Sequence, residues 1–260
     1  MTAAATVDRR LDIIGLGPGS ADWITPQVED VLAKATDLVG YAPYLARIPQ
    51  HPGQQHHASD NREELARARQ ALELALSGRR VAVVSGGDPG IFAMAAAVFE
   101  ALEDGPAEWR HIDIAVSPGI SAMQAAAARV GAPLGHDFCA ISLSDRLKPW
   151  PLIARRLAAA AEGDFVIALY NPASLTRRAQ IDAAFALLRK HKAGQTPVVF
   201  AQALGRADER IVITTLAEAD PAIADMRTLV IIGSSATRFV PREGKPPFVY
   251  TPRHASDENR

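Results

Sequence analysis

Apolar and polar positions along the chain fall into two alternating patterns. Short runs rich in Val, Ile and Leu read as nine strands: "LDIIGLG", "TDLVGY", "RRVAVVSG", "HIDIAVSP", "DFCAISLS", "DFVIALYN", "TPVVFAQA", "ERIVITTL" and "TLVIIGSS". Most are continuously apolar, the pattern of strands covered on both faces. Between them lie alanine-rich segments with helical spacing. In "SDNREELARARQALELALSG", Asp60 and Glu63 have the spacing of a capping box, with Asp60 the N-cap. Leu65, Leu72 and Leu76 mark one face of that helix and Gly78 ends it. Thr25 before Pro26 is a second N-cap with a first-turn proline. "PGISAMQAAAARVGA" and "PWPLIARRLAAAAEGD" read the same way. This alternation predicts α/β architecture. The pattern restarts after "SPGISA" with a strand set beginning at Phe138, which predicts two α/β domains, 8–117 and 118–250, and a tail over 251–260.

Composition narrows the class. The chain has 260 residues and 48% hydrophobic content, enough for one large α/β domain or two small ones. Net charge is −1 with both signs interspersed, which argues against a dedicated nucleic-acid binder. No apolar stretch reaches the roughly 18 residues of a membrane span, and "MTAAATVDRR" lacks the apolar region of a secretory signal. The expectation is a cytoplasmic protein without a membrane partner. Cys139 is the only cysteine, so an internal disulfide and a multi-cysteine metal site are both excluded. It reads as a core residue. "HPGQQHH", with His51, His56 and His57, reads as a solvated loop.

Three glycine turns follow apolar runs. "GLGPGS" lacks the spacing of a dinucleotide fingerprint and the lysine of a phosphate loop. In "SGGDPGIF", Asp88 before Pro89 is either a helix cap or, with Gly87, a contact to a polar ligand at a strand's carboxyl end. In "SPGISAMQAA", Ser121 either caps a helix or bonds a ligand carboxylate. Opening on one side of the sheets, such turns suit a small zwitterionic ligand.

The order "GLGPG", "GGDPGIF", "PGISA", "LYNPAS", "TLVIIG" resembles the tetrapyrrole methylases over nearly the whole chain. "VGYAPYL", "SDNREEL" and "LGHDFCAISLSDRLKPW" are similar to the branch that methylates C-17 of precorrin-3B, although relatives more often carry leucine and threonine at the positions of Arg146 and Lys148. The resemblance implies two α/β domains with a cofactor cleft between them, S-adenosylmethionine as cofactor with S-adenosylhomocysteine as product, no metal, a tetrapyrrole substrate and a homodimer. It implies cofactor contacts at Pro18, Gly87, Asp88, Ile91, Ser121, Ala122, Tyr170, Asn171, Leu204, Thr228 and Leu229. The resemblance further implies that the opening loop faces the substrate side of the cleft more than the cofactor's tail.

The implied reaction is C-17 methylation with ring contraction to precorrin-4, during which the C-20 hydroxyl loses a proton. Candidates for the general base are Asp145, Ser144, His136 and Asp88. Each has a plainer role: Asp145 as the cap of the next helix, Ser144 as a loop donor, His136 as the hold on the "GHD" turn. Arg146, Lys148, Arg177, Arg178 and Arg238 are candidates for substrate carboxylates or else solvated charges. A sister methylase acting at another macrocycle carbon, a nicotinamide oxidoreductase and a non-catalytic tetrapyrrole carrier are the competing readings.

Overall fold

The computed structural model describes residues 9–60, 63–174 and 176–254. The chain divides into two compact units, Met1–Ser121 and Ala122–Arg260.

The first unit is a five-stranded parallel sheet in the order β3-β2-β4-β1-β5. Its strands are β1 (Arg10–Gly15), β2 (Asp37–Tyr41), β3 (Gln55–Ser59), β4 (Arg80–Ser85) and β5 (Asp113–Ser117). Its helices are α1 (Pro26–Lys34), α2 (Ala42–Leu45), α3 (Glu64–Leu76) and α4 (Met94–Asp104). Both faces are covered, which is why the inner strands are continuously apolar. Leu11, Ile13, Val81 and Val83 pack on Ala68, Leu72 and Val98. Ile14, Ala82 and Val84 pack on Val28, Leu32 and Leu45. Thr25 caps α1 as expected, its hydroxyl accepting the Val28 amide at 3.3 Å.

Two expectations in this unit are corrected. Helix α3 begins at Glu64, not next to Asp60. Glu63 does reach back to the Asp60 amide, at 3.2 Å. The buried face is Arg67, Ala68, Ala71, Leu72 and Ala75, while Leu65 is 48% exposed. Gln55–Ser59 ("QHHAS"), with His56 and His57, is an edge strand, while His51 stays in the loop before it. His57 Nε2 lies 2.8 Å from an oxygen of Asp37, a wholly buried carboxylate that also accepts from Arg79 and Thr36.

The second unit has a mixed sheet in the order β10-β9-β11-β8-β7, with only β7 and β8 parallel. Its helices are α5 (Ala122–Val130), α6 (Trp150–Glu162) and α7 (Ala179–His191). The strands are β7 (Phe138–Ser142), β8 (Val166–Tyr170), β9 (Pro197–Gln202), β10 (Arg210–Thr215) and β11 (Thr228–Ile232). Leu157 and Ile153 of α6 and Phe185 and Leu188 of α7 fill its core, and Phe185 stacks on Phe200 with ring centroids 5.8 Å apart. Cys139 is half-buried against this core, and burial pushes its thiol pKa up. A small third sheet joins β6 (Gly131–Ala132), β12 (Arg238–Arg242) and β13 (Lys245–Tyr250).

Candidate functional site

The three glycine turns meet at the carboxyl ends of β1, β4 and β5. Gly17 and Gly87 form a two-bond bridge: each amide donates to the other's carbonyl, at 3.2 and 3.0 Å. Both have φ of +67°, a left-handed conformation that glycine adopts without strain. Gly15 and Gly119 close the cluster from below. A Cβ at Gly15 would lie 2.5 Å from the Gly87 oxygen, 2.8 Å from Pro89 and 2.9 Å from the Gly119 Cα. At Gly87 the surroundings are open, with only the Ile120 oxygen near, at 4.0 Å. The backbone is therefore packed on one side at Gly15 and Gly119 and bare on the other at Gly87. That is a cradle a side chain would fill, and it fits an extended polar ligand lying along the main chain.

Two side chains hold these turns. Asp88 Oδ1 accepts the Gly90 amide at 2.8 Å and Oδ2 accepts the Gly119 amide at 3.1 Å. It therefore ties the second turn to the third. The reading of Asp88 as a helix cap is corrected, since α4 starts at Met94 with Ala93 in the cap position. Arg47, which follows α2, donates to the carbonyls of Leu16 at 2.9 Å, Gly17 at 3.0 Å and Gly19 at 3.1 Å. No sequence signal pointed to it. Pro18 and Ile91 are half-buried on the same turns, Phe92 follows with φ of +52°, and Ser121 is buried just before α5.

In the second unit, one end of the sheet collects the remaining candidates. β7, β8 and β9 finish there and β11 starts there, with Ser142 paired to Tyr170 and Thr228 to Gln202. Tyr170 accepts the Met123 amide at its hydroxyl, at 3.2 Å, which fixes the ring beside the start of α5 and Ala122. Asn171 has φ of +50° and donates to the Ser142 hydroxyl at 3.0 Å. Asparagine tolerates that conformation better than most residues. The Ser144 amide donates to the same hydroxyl at 3.3 Å. Ala203, before the buried Leu204, also has a positive φ, +52°. Thr228 and Leu229 are buried. The Thr228 hydroxyl donates to Asp225 Oδ1 at 2.8 Å and accepts the Asp225 amide at 3.0 Å, and the Thr228 amide donates to the Asp225 carbonyl at 3.2 Å. Burial raises the Asp225 pKa, but hydrogen bonds from Thr228 and Gln202 outweigh it and hold the carboxyl below its ordinary value.

Of the base candidates, Asp145 and Ser144 stand at this end, just past β7. His136 does not join them: it precedes β7, at the opposite end of that strand, with Asp137 3.7 Å away. Asp145 is not a helix cap, because α6 is preceded by Pro149 and has no side-chain cap bond. Its Oδ2 instead accepts the Gln180 amide nitrogen at 2.6 Å. Arg177 is corrected from a substrate or solvent charge to a clamp, donating to Leu143 O at 3.0 Å and Asn171 O at 2.7 Å. Burial lowers its pKa, against the pull of Asp145. Arg178 donates to Ala222 O at 3.2 Å, and Arg238 lies on β12 of the small sheet. Arg146 is exposed in the loop after Asp145, and Lys148 beside it has its pKa lowered by burial and by Arg156. Between them Leu147 is 100% exposed. Among the described residues, no helix is long and apolar enough to cross a membrane.

Comparison with known proteins gives a consistent picture. The profile of the Tetrapyrrole (Corrin/Porphyrin) Methylases matches residues 10–220. The chain is 57% identical over 243 residues to a Precorrin-3B C(17)-methyltransferase of Sinorhizobium sp, covering 94% of this chain and 96% of that protein. It is 50% identical over 252 residues to the Cobalamin biosynthesis protein CobIJ of Mycobacterium tuberculosis, covering 95% of this chain but 49% of that protein, so it spans about half of that relative's length. The crystal structure of the methyltransferase CobJ superposes with a TM-score of 0.88 at 52% identity, covering 93% of this chain and 99% of that one.

Proposed function

Since the chain belongs to the tetrapyrrole (corrin/porphyrin) methylases, we propose that it is the S-adenosylmethionine-dependent enzyme that methylates C-17 of precorrin-3B, with ring contraction to precorrin-4. The observation that carries this reading is the 57% identity, over almost the full length of both chains, to a Precorrin-3B C(17)-methyltransferase. The proposal includes a homodimer working in the cytoplasm.

S-adenosylmethionine supplies, when bound, an electrophilic methyl group on a sulfonium, and displacement by a carbon nucleophile calls for no metal. The open backbone at Gly87, with Pro18, Asp88, Ile91 and Ser121, forms the part of the cofactor site in the first unit. Tyr170, Asn171, Leu204, Thr228 and Leu229, with Ala122, form the part in the second. Leu204, Thr228 and Leu229 are buried in this group. The turns are held by Asp88, Arg47 and Arg177 before any ligand arrives. Holding two reactants in line supplies about 7–11 kcal/mol of barrier reduction.

For the proton on the C-20 hydroxyl, Asp145 is the proposed base. It stands at the strand end with its carboxylate oriented by Gln180 at 2.6 Å, the arrangement a general base requires. Ser144 is its neighbour in the same loop. Arg146 and Lys148 offer charge to the carboxylates of the macrocycle, each contact contributing about 1.5–3 kcal/mol.

Incubation with methyl-labelled S-adenosylmethionine and precorrin-3B tests the reading. The expected result is label at C-17 of a ring-contracted product. A carrier protein transfers no label, and a sister methylase places it at another carbon.

A further inference from the structure

Among the groups that hold the turns, Arg47 is bonded to the opening loop. Arg47 is half-buried behind the opening loop and spends its guanidinium on three main-chain carbonyls, those of Leu16, Gly17 and Gly19. The Gly17 carbonyl is shared, because it also accepts the Gly87 amide at 3.0 Å. A planar fork of donors suits such a cluster, and an ammonium group does not reproduce it. The second and third turns have a separate tie, through Asp88 to Gly90 and Gly119.

We infer that Arg47 is the positioning residue of the opening loop: it fixes residues 16–19 for the macrocycle, while Asp88 ties the second turn to the third. The inference rests on the methyltransferase reading, with the cofactor mainly on the second and third turns and meeting the first at Pro18. Loss of Arg47 then releases the first loop and leaves the cofactor turns in place. A general loss of fold would impair both ligands together.

The test uses the full chain as wild type, Arg47→Ala and Arg47→Lys. Turnover is followed with precorrin-3B, and cofactor affinity by calorimetry with S-adenosylhomocysteine. The expected result for Arg47→Ala is a fall of about 100-fold in kcat/KM for the macrocycle, as charge-assisted bonds are lost. Its affinity for S-adenosylhomocysteine falls by no more than about tenfold, well short of the loss in turnover, since the bonds of Asp88 still hold the second and third turns. Arg47→Lys falls between, and millimolar guanidinium restores turnover to Arg47→Ala while leaving wild type unchanged. Wild-type turnover in Arg47→Ala overturns the inference, as does a cofactor affinity that falls in step with activity, or a folded variant that guanidinium does not rescue. Amide hydrogen exchange separates this outcome from failure of the methyltransferase reading. If wild type transfers no methyl group, faster exchange confined to residues 16–20 in Arg47→Ala still supports the hold on the loop. Unchanged exchange there removes it.

Discussion

Asp88 and Gly119, thirty-one positions apart, are joined by a hydrogen bond of 3.1 Å from the glycine amide to the aspartate carboxylate. The other carboxylate oxygen closes the turn at Gly90. One side chain thus sets the spacing of two glycine turns. Replacing Asp88 with Ala removes two charge-assisted bonds, and affinity for S-adenosylhomocysteine is expected to fall about 10–100-fold. Asp88→Asn keeps one good acceptor and is expected to fall less. Calorimetry checks both, and unaltered affinity in Asp88→Ala removes the residue from the cofactor side.

Gly15 and Gly87 belong to the same cluster but answer to different constraints. A methyl group at Gly15 meets backbone on several sides, the closest at 2.5 Å. Gly15→Ala is expected to destabilise the protein by about 1–3 kcal/mol through overpacking. At Gly87 a methyl group meets almost nothing in the protein, but it occupies the cradle and strains a backbone with φ of +67°. Gly87→Ala is therefore expected to weaken S-adenosylhomocysteine more than it lowers stability. Urea unfolding and calorimetry on the two variants separate the effects.

Asp145 is expected to carry the proton transfer. Asp145→Asn keeps the side chain's shape and removes the base, so turnover should drop about 10²–10⁴-fold while cofactor affinity holds. Gln180→Ala, which frees the carboxylate from its 2.6 Å bond, should lower turnover less. Full turnover of Asp145→Asn on precorrin-3B rules Asp145 out as the base.

The buried Asp37 makes stability depend on acidity. Burial pushes its pKa up, but the bonds from Arg79, Thr36 and His57 outweigh this and hold the carboxyl below its ordinary value. Because the folded pKa is the lower one, the stabilisation is complete above the unfolded carboxyl pKa, about 3.9, and is lost as pH falls through the folded value. Asp37→Asn is expected to be destabilised by about 3 kcal/mol at pH 7, the loss typical of breaking a buried pair. Urea unfolding should show the gap to wild type closing toward pH 3. A gap that does not change with pH refutes the assignment.

Local chemistry was readable from the sequence, and long-range chemistry was not. The apolar runs of β1, β4, β8 and β11 are continuous because both faces are covered. The cap at Thr25 depends only on neighbours in the chain. Edge strand β3 escaped notice because "QHHAS" is polar, and β12 and β13 because Pro241, Pro246 and Pro247 read as strand breakers. Arg47 and Arg177 were missed as clamps because an arginine bonded to carbonyls looks, in sequence, like any surface charge. The partners of Arg47 are about thirty residues away. His136 and Ser144 are eight positions apart in the chain, yet a whole strand lies between them.

Leu147 stands fully in solvent beside the exposed Arg146, on an irregular segment. That makes the Arg146–Leu147 peptide bond a natural cutting point for trypsin. The rate of nicking there offers a simple footprint, read on a gel, of whether the macrocycle has covered this stretch.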